Sequence, residues 1–275
     1  MANTVINTQE RFYCDKFDIK LVSSLSLFLY ENFSFWTVKD QNEKILAVHS
    51  ATFPDHSSLL DQLITDEFYQ LDIPIKVFVH NTAFSLIPGM LFNNSFLQTY
   101  LAFSGDLKDN IGFATPLESN NIQLVGGVDK TLFEKLSNGK SNIEFYHGAT
   151  AFLSYCFSEK PNFLNQEIFI YLFGNHFYLS GFSKQELVVF NRFEAHTSDD
   201  LMKYVFGIAH QLKFDRKLCR LTIIGDVNTL SLSKEWGNTY FKNFRILQPK
   251  SNLRYHDGPH QIQENPVLES RWEFT

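Results

Sequence analysis

Histidine and cysteine are the residue types here that most directly suggest chemistry, but neither occurs at a spacing typical of an active site. His256 and His260, with Asp257 between them, could ligate a metal in principle. They lie in a segment that contains Gly and Pro, where spacing fixes no geometry, so a solvated tail is the favoured interpretation. No Gly-x-Ser-x-Gly elbow is present, and no cysteine has a histidine at motif spacing. Four further histidines are scattered, and each is interpreted as a core or surface residue: His49, His80, His147 and His210.

A pair of adjacent glycines, Gly126-Gly127, comes shortly before Asp129 and resembles the start of a phosphate-binding loop. The segment lacks the Lys-Ser/Thr of a P-loop and the third glycine of a dinucleotide fingerprint. We therefore predict a turn at the glycines, followed by a helix that Asp129 caps.

Composition and charge exclude several classes of partner. The net charge is −6, and there is no run of Lys or Arg. Nucleic acid and anionic membrane both need a concentrated basic face, so neither is expected as the main partner. Cys14, Cys156 and Cys219 are odd in number and far apart, which argues against a disulfide framework or a zinc site and fits a reducing compartment. The polar N-terminus and the lack of any run of about 18 apolar residues predict a cytoplasmic protein without membrane insertion.

The apolar pattern predicts an α/β protein that begins with a β-hairpin. Apolar residues alternate from Ile19 to Tyr30, Glu31-Asn32 reads as the turn, and Phe33 to Val38 forms the return strand. The following elements are expected in this order: a strand (44–53), a helix opened by Pro54-Asp55 with apolar positions from 59 to 68, a strand (75–80), a helix after Pro88, a loop (102–120), a strand (122–125), the helix after Asp129, a strand (143–146) and a helix (149–157).

After a break at 159–162, a similar order begins again. We expect strands at 167–173, 176–182, 186–193, 221–225 and 244–247, a turn at Gly174-Asn175, a helix capped by Ser198 and another helix around 230–240. With an offset of about 143 residues, Phe28–Phe33 aligns with Tyr171–His176. This predicts that the second lobe repeats the order and spacing of the strands and helices of the first. The predicted organisation is an N-terminal extension (1–18), a first lobe (19–160), a second lobe (161–248) and a polar tail (249–275), draped over a lobe through Trp272 and Phe274.

Several short segments resemble a known family. Residues 122–157, ending His147-Gly148-Ala149-Thr150-Ala151, resemble bacterial actin-like assembly proteins of cell division and type IV pili. Thr82-Ala83-Phe84-Ser85-Leu86-Ile87-Pro88 with Leu91-Phe92, then 187–193 and 198–204, resemble a family of uncharacterised bacterial proteins, a domain of unknown function with an actin-like ATPase fold. The likeness spans roughly 19–248. It implies a duplicated ribonuclease-H-like fold of two lobes, each with a mixed sheet flanked by helices.

The phosphate-binding chemistry that this resemblance implies is mostly missing. An actin-like ATPase needs an Asp-x-Gly turn in the first hairpin of each lobe, because the glycine exposes backbone N–H groups and the aspartate orders Mg²⁺ or water. No Asp or Gly occurs from Leu21 to Lys39, and no Asp from Ile168 to Phe182. Bulky side chains are expected there instead. Gly225-Asp226 lies where the fold has its adenosine-side turn, and we interpret it as a strand-to-helix turn with Asp226 as the cap.

Two hypotheses follow, and no catalytic residue or metal ligand is assigned in either. The first is a non-catalytic binding or scaffold protein that holds a protein partner and needs no cofactor. The second is a divergent nucleotide-binding protein that takes ATP and Mg²⁺ in an inter-lobe cleft, with these candidate residues: Asn32, Asn175, His176, Gly225 and Asp226.

Overall fold

The two hairpins expected from alternating apolar residues are present, and each belongs to its own sheet. The computed structural model describes residues 9–53, 56–105 and 109–275, so Pro54 and Asp55, expected to open a helix, lie outside the described residues. The chain divides into two compact units. Unit 1 comprises the residues up to Thr150 together with Leu253–Ile262, and unit 2 comprises Ala151–Asn252 and Gln263–Thr275. The boundary that the sequence predicts between the two lobes lies after residue 160.

Unit 1 carries most of the strands. Its strands are β1 (Gln9–Tyr13), β2 (Ser24–Leu29), β3 (Phe33–Lys39), β4 (Lys44–Thr52), β5 (Ile75–Val79), β6 (Phe84–Pro88), β7 (Asn110–Leu117), β8 (Ile122–Asp129), β9 (Ile143–His147) and β15 (Arg254–Tyr255). Its helices are α1 (His56–Thr65), α2 (Leu97–Leu101) and α3 (Lys130–Ser137). Helix α4 (Ala149–Glu159) begins in unit 1 and continues into unit 2.

The main sheet of unit 1 has the order β1-β4-β3-β2-β5-β9, and β15 also pairs with β4. Strand β2 is antiparallel to β3 and parallel to β5, which in turn is parallel to β9. Because side chains alternate along a strand, Leu25, Leu27 and Leu29 share one face and join the apolar core that also contains Leu63 of α1 and Leu136 of α3.

A second sheet of three strands, β6-β8-β7, corrects two sequence predictions. The stretch 102–120, predicted as a loop, contains β7, and the helix predicted after Pro88 is reduced to short 3-10 turns and α2. Gly112 and Pro116 look like turn residues, but β7 is an edge strand, where proline is tolerated because one side needs no ladder hydrogen bond. A Cβ on Gly112 would lie 3.1 Å from Leu97 Cβ, so the glycine also lets α2 pack closely.

Unit 2 contains one sheet of five strands. They are β10 (Gln166–Phe173), β11 (His176–Ser183), β12 (Glu186–Glu194), β13 (Arg220–Gly225) and β14 (Asn243–Ile246), in the order β12-β11-β10-β13-β14. This is the same sequence of antiparallel and parallel pairings as β4-β3-β2-β5-β9 in unit 1. Helix α5 (Ser198–Gln211) packs on one face. Its N-cap is Thr197 and not Ser198 as predicted, because the Thr197 hydroxyl accepts a hydrogen bond from the Asp200 N–H.

The C-terminal segment is packed, which corrects the prediction of a solvated tail. Tyr255 of β15 pairs with Ile45 of β4 in unit 1. In unit 2, Leu268 and Glu269 are buried, and the Trp272 indole N–H donates to Ser154 Oγ at 2.8 Å. The expected docking through Trp272 is therefore present.

Candidate functional site

In unit 1, three parallel strands end side by side, which is the edge where ligands usually bind in α/β sheets. Tyr30 follows β2, His80 follows β5 and Gly148 follows β9. The backbone N–H of His80 donates to Leu29 O at 2.8 Å, and that of Gly148 donates to Val79 O at 2.9 Å. The Tyr30 N–H donates to Phe33 O at 2.9 Å across the hairpin turn. All three backbone donors at this edge therefore have acceptors inside the unit.

Aromatic side chains fill the same edge. The Tyr30 and His80 rings are stacked, with centroids 4.0 Å apart and planes inclined by 14°. They are only 6% and 4% exposed. A Cβ on Gly148 would lie 2.4 Å from the His80 ring, so only glycine gives the imidazole room at this position. We call Tyr30, His80 and Gly148 the aromatic stack.

Asn32 is the one candidate residue of the hairpin turn in unit 1. Its carbonyl accepts a hydrogen bond from the Phe53 N–H at 3.0 Å, and the residue is exposed. The turn is short because the Tyr30 N–H bonds to Phe33 directly across Glu31-Asn32, as predicted.

The corresponding edge of unit 2 brings the other four candidate residues close together. The turn Gly174-Asn175 joins Phe173 to His176, and the next strand, β13, ends at Gly225 beside β10. Gly225 has a φ of +95°, and a Cβ there would lie 2.1 Å from Leu172 O, so glycine is required by both conformation and space. The Asp226 N–H then donates to the same Leu172 carbonyl at 3.0 Å.

Asp226 does not cap a helix, which corrects the sequence prediction. Its carboxylate accepts a hydrogen bond from the Thr229 hydroxyl within the loop. The next helix, α6 (Lys234–Asn238), begins later and is capped by Ser233, whose hydroxyl accepts from the Trp236 N–H. Asp226 therefore stabilises the turn after β13.

A smaller group of aromatic side chains lies where β10 ends in unit 2. Phe173 lies 4.9 Å from Tyr178 and 6.2 Å from His176 between ring centroids. The Arg192 guanidinium lies 5.9 Å from the centre of the Phe173 ring. In both units, then, an aromatic residue stands where the first hairpin strand meets its turn: Tyr30 directly after β2 and Phe173 at the end of β10.

Residues 15–244 match the family described as Protein of unknown function (DUF3822). The chain belongs to this family. No curated protein matches the sequence.

Two solved structures resemble this member of the DUF3822 family closely enough to establish the fold. A protein with actin-like ATPase fold and unknown function from Bacteroides thetaiotaomicron is 17% identical, with a TM-score of 0.74 over 92% of this chain and 99% of the other. The PilM–PilN type IV pilus biogenesis complex contains a chain that is 10% identical, with a TM-score of 0.61 over 91% of this chain and 98% of that one. The protein has an actin-like ATPase fold, in which mixed sheets are flanked by helices.

The glycine pair that resembled a phosphate loop lies inside a strand and not in a turn. Gly126 and Gly127 belong to β8, and a Cβ on Gly126 would lie 2.6 Å from the Phe113 ring. Gly126 therefore makes room for a ring packed on the sheet, and Gly127 makes room for Leu101 and Asn110. Asp129 caps α3 as predicted, since its side chain accepts from the Leu132 N–H at 3.0 Å.

The histidines with metal-binding potential have other partners. His256 Nε2 lies 3.0 Å from Asp40 Oδ2, and His260 Nδ1 accepts from the Gly258 N–H at 3.3 Å. Burial pushes the pKa of Asp40 upward, but hydrogen bonds from His256 and from two backbone N–H groups outweigh it and hold the pKa below its usual value. Within the described ranges, no group of three or more His, Cys, Asp or Glu side chains is arranged to hold a metal ion.

One polar cluster of unit 1 was not identified as a cluster from the sequence. His49, which is buried, lies with Nδ1 3.2 Å from Asp66 Oδ2 and with Nε2 2.8 Å from the Tyr13 hydroxyl oxygen. The three residues come from β1, β4 and the loop after α1, so only the tertiary fold brings them together. His49, interpreted from the sequence as a core or surface residue, is a buried residue with two hydrogen-bond partners.

Proposed function

We propose that this protein is a non-catalytic binding or scaffold protein, which retains the actin-like shell and acts by holding a protein partner. The observation that carries the proposal is the aromatic stack. A phosphate chain at this edge needs a bare turn with backbone N–H groups directed at it. Here two aromatic rings fill the edge, and the N–H groups of Tyr30, His80 and Gly148 already donate to backbone carbonyls.

An apolar segment of unit 1 supports the idea of a protein partner. Met90 is 92% exposed and Phe103 is 74% exposed, and Leu91 and Phe96 are also exposed. From Val77 to Gly105 the sequence contains no Asp, Glu, Lys or Arg. Because isolated exposed apolar residues are ordinary but clusters of them are typical of interaction sites, this segment is the candidate contact surface.

The nature of the partner is inferred from charge and from a structural neighbour. PilM, whose fold this chain shares, is in a complex with PilN. The net charge of −6 disfavours nucleic acid, so a protein is the better candidate. Among the described residues, no helix is both long and apolar enough to cross a membrane. A cytoplasmic location is part of the proposal, supported by three cysteines that are all free.

The alternative is divergent nucleotide binding, and one observation favours it. Gly225 and Asp226 follow β13 at the carboxyl edge of the unit 2 sheet, where a positive φ brings the Asp226 carboxylate into the turn. Thermal unfolding with and without Mg-ATP separates the two functions. A protein that binds the ligand gains about 2.7 kcal/mol of unfolding free energy when the ligand is at a hundred times its Kd. We expect no shift at millimolar Mg-ATP, and a shift that Asp226→Ala abolishes would establish the alternative.

The partner surface is tested with single charge substitutions. The tagged protein is used to capture its partner from native lysate, alongside the variants Met90→Lys and Phe103→Lys. Leu218→Lys is the matched control, because Leu218 is an apolar residue of unit 2 that is 62% exposed. We expect one specific protein to bind the unmodified chain and the control but neither unit 1 variant. Equal capture by all three variants would refute the assigned surface.

A further inference from the structure

The edge of the main sheet of unit 1 contains a small polar cavity beneath α1. Strand register places Trp36 of β3 opposite His49 of β4, and His49 opposite Arg11 of β1. These side chains therefore share one face, and α1 contributes Gln62 above them. The cavity has a volume of about 20 Å³ and is lined by these residues together with Asp66, Gln9 and Ser50.

Two polar atoms of this lining are buried without a hydrogen-bond partner among the described residues. They are Nε1 of Trp36, which is 5% exposed as a residue, and Oε1 of Gln62. A buried donor or acceptor left unsatisfied is costly, so native proteins rarely retain one. A donor and an acceptor that face the same cavity call for an occupant that pairs with both.

We propose that this cavity is a binding site for one structural water molecule, which accepts a hydrogen bond from Trp36 Nε1–H and donates one to Gln62 Oε1. A buried water needs roughly 10–15 Å³ measured to its centre, and the cavity offers about 20 Å³. The volume therefore accommodates one water molecule.

The chemistry of the lining selects water over an ion. An anion would accept a hydrogen bond from the Trp36 indole N–H but would be repelled by the Gln62 carbonyl oxygen. A cation would be attracted to that oxygen but repelled by the indole N–H. Water both donates and accepts, and it has a further donor for the nearby Asp66 carboxylate. The same Asp66 bonds to His49, so the water joins the Tyr13–His49–Asp66 cluster to Trp36 and links β3 to α1.

Solution NMR of the full-length protein tests the site directly. We expect the Trp36 indole N–H to show a cross-peak to water with opposite signs in nuclear and rotating-frame Overhauser spectra, which marks a long-lived bound water. Trp36→Phe assigns the signal. The Trp272 indole is the matched control because it donates directly to Ser154 Oγ. The absence of a water cross-peak at Trp36 would overturn the proposal.

A double-mutant cycle provides a second, independent measurement. Trp36→Phe removes the donor, Gln62→Met removes the acceptor, and the double variant removes both. If one water bridges the two groups, the effects on the unfolding equilibrium constant are coupled by about fivefold. Strictly additive effects would show that the two groups do not share a bound molecule.

Discussion

Arg220 Nε lies 2.9 Å from each carboxylate oxygen of Glu167, a side chain with no exposed surface. The Thr222 hydroxyl and the Leu164 N–H also donate to this carboxylate, at 3.0 and 3.2 Å. Glu167 on β10 and Arg220 on β13 occupy paired positions, so the ion pair joins the second residue of β10 to the first residue of the parallel strand β13.

Removing the arginine should destabilise the protein strongly. Arg220→Met leaves a buried carboxylate without its cation, and the expected loss is about 3–5 kcal/mol of unfolding free energy. The double variant Glu167→Leu with Arg220→Met should lose much less than the sum of the two single variants, since no charge is then left unpaired. Urea unfolding followed by tryptophan fluorescence measures both. Lys203→Met, in an exposed ion pair with Asp200, is the control and should have no measurable effect.

Two glycine-to-alanine substitutions, one in the aromatic stack and one in α5, should have opposite effects on the free energy of unfolding. Gly148→Ala places a Cβ 2.4 Å from the His80 ring and should cost about 1–3 kcal/mol through overpacking. Gly207→Ala, inside α5 with nothing within 4 Å of the new Cβ, should gain up to about 1 kcal/mol through helix propensity. Chemical unfolding followed by circular dichroism distinguishes them. Equal effects would show that His80 moves freely away from Gly148.

The Asp40–His256 pair predicts an acid-dependent contribution to stability. Because the pKa of Asp40 is lowered in the native state, folding favours its charged form. Asp40→Asn should therefore cost about 1 kcal/mol at neutral pH. The difference should shrink as the pH falls below 3.8, the usual Asp pKa, because the unfolded chain binds the proton first, and it should vanish once the pH is below the lowered native pKa. Urea unfolding of both proteins across a pH series checks this, and a difference independent of pH would contradict it.

Deleting residues 249–275 should destabilise both units. The deletion removes Ile262 from unit 1 and Leu268 from unit 2, each worth about 1.5–3 kcal/mol of apolar burial. Hydrogen exchange should increase in peptides that cover β4 and β10. Deletion of Thr275 alone, an exposed residue, is the control. Unchanged exchange in either strand would show that the segment does not support that unit.

The three cysteines should differ sharply in reactivity. Burial raises the pKa of Cys219 to about 12 and raises that of Cys156 further, so neither thiol forms a thiolate in the native protein. Cys14 is partly exposed. A thiol reagent should label Cys14 rapidly and the other two only after unfolding. Mass spectrometry of the labelled protein identifies the sites, and native labelling of Cys156 would contradict the buried position.

Local sequence patterns predicted the strands in which apolar residues alternate strongly. They missed strands that contain residues typical of turns. Leu25, Leu27 and Leu29 identified β2 because they recur at every second position and pack into one apolar core. In β7, Gly112 and Pro116 serve packing and edge position, which depend on α2 and β8 and not on neighbours in the sequence. The glycine pair Gly126-Gly127 was wrongly predicted to form a turn for the same reason.

Part of the candidate site was also predictable from the sequence, and part of it was not. The absence of Asp and Gly from the first hairpin was visible in the sequence, and Tyr30 stands at its turn. The stacking of Tyr30 on His80 was not predictable, because it requires β2 and β5 to be neighbours. The water cavity likewise depends on the register between β1, β4 and β3, which no local pattern specifies.

The route of the chain has a consequence for synthesis. It leaves unit 1 after Thr150, returns at Leu253 and leaves again after Ile262. A ribosome that has made all of β1 to β9 has therefore not yet made β15, which pairs with β4. Domains usually fold in order from the N-terminus as they emerge. In this protein unit 1 must wait until β10 to β14 of unit 2 have been made before its own main sheet is complete.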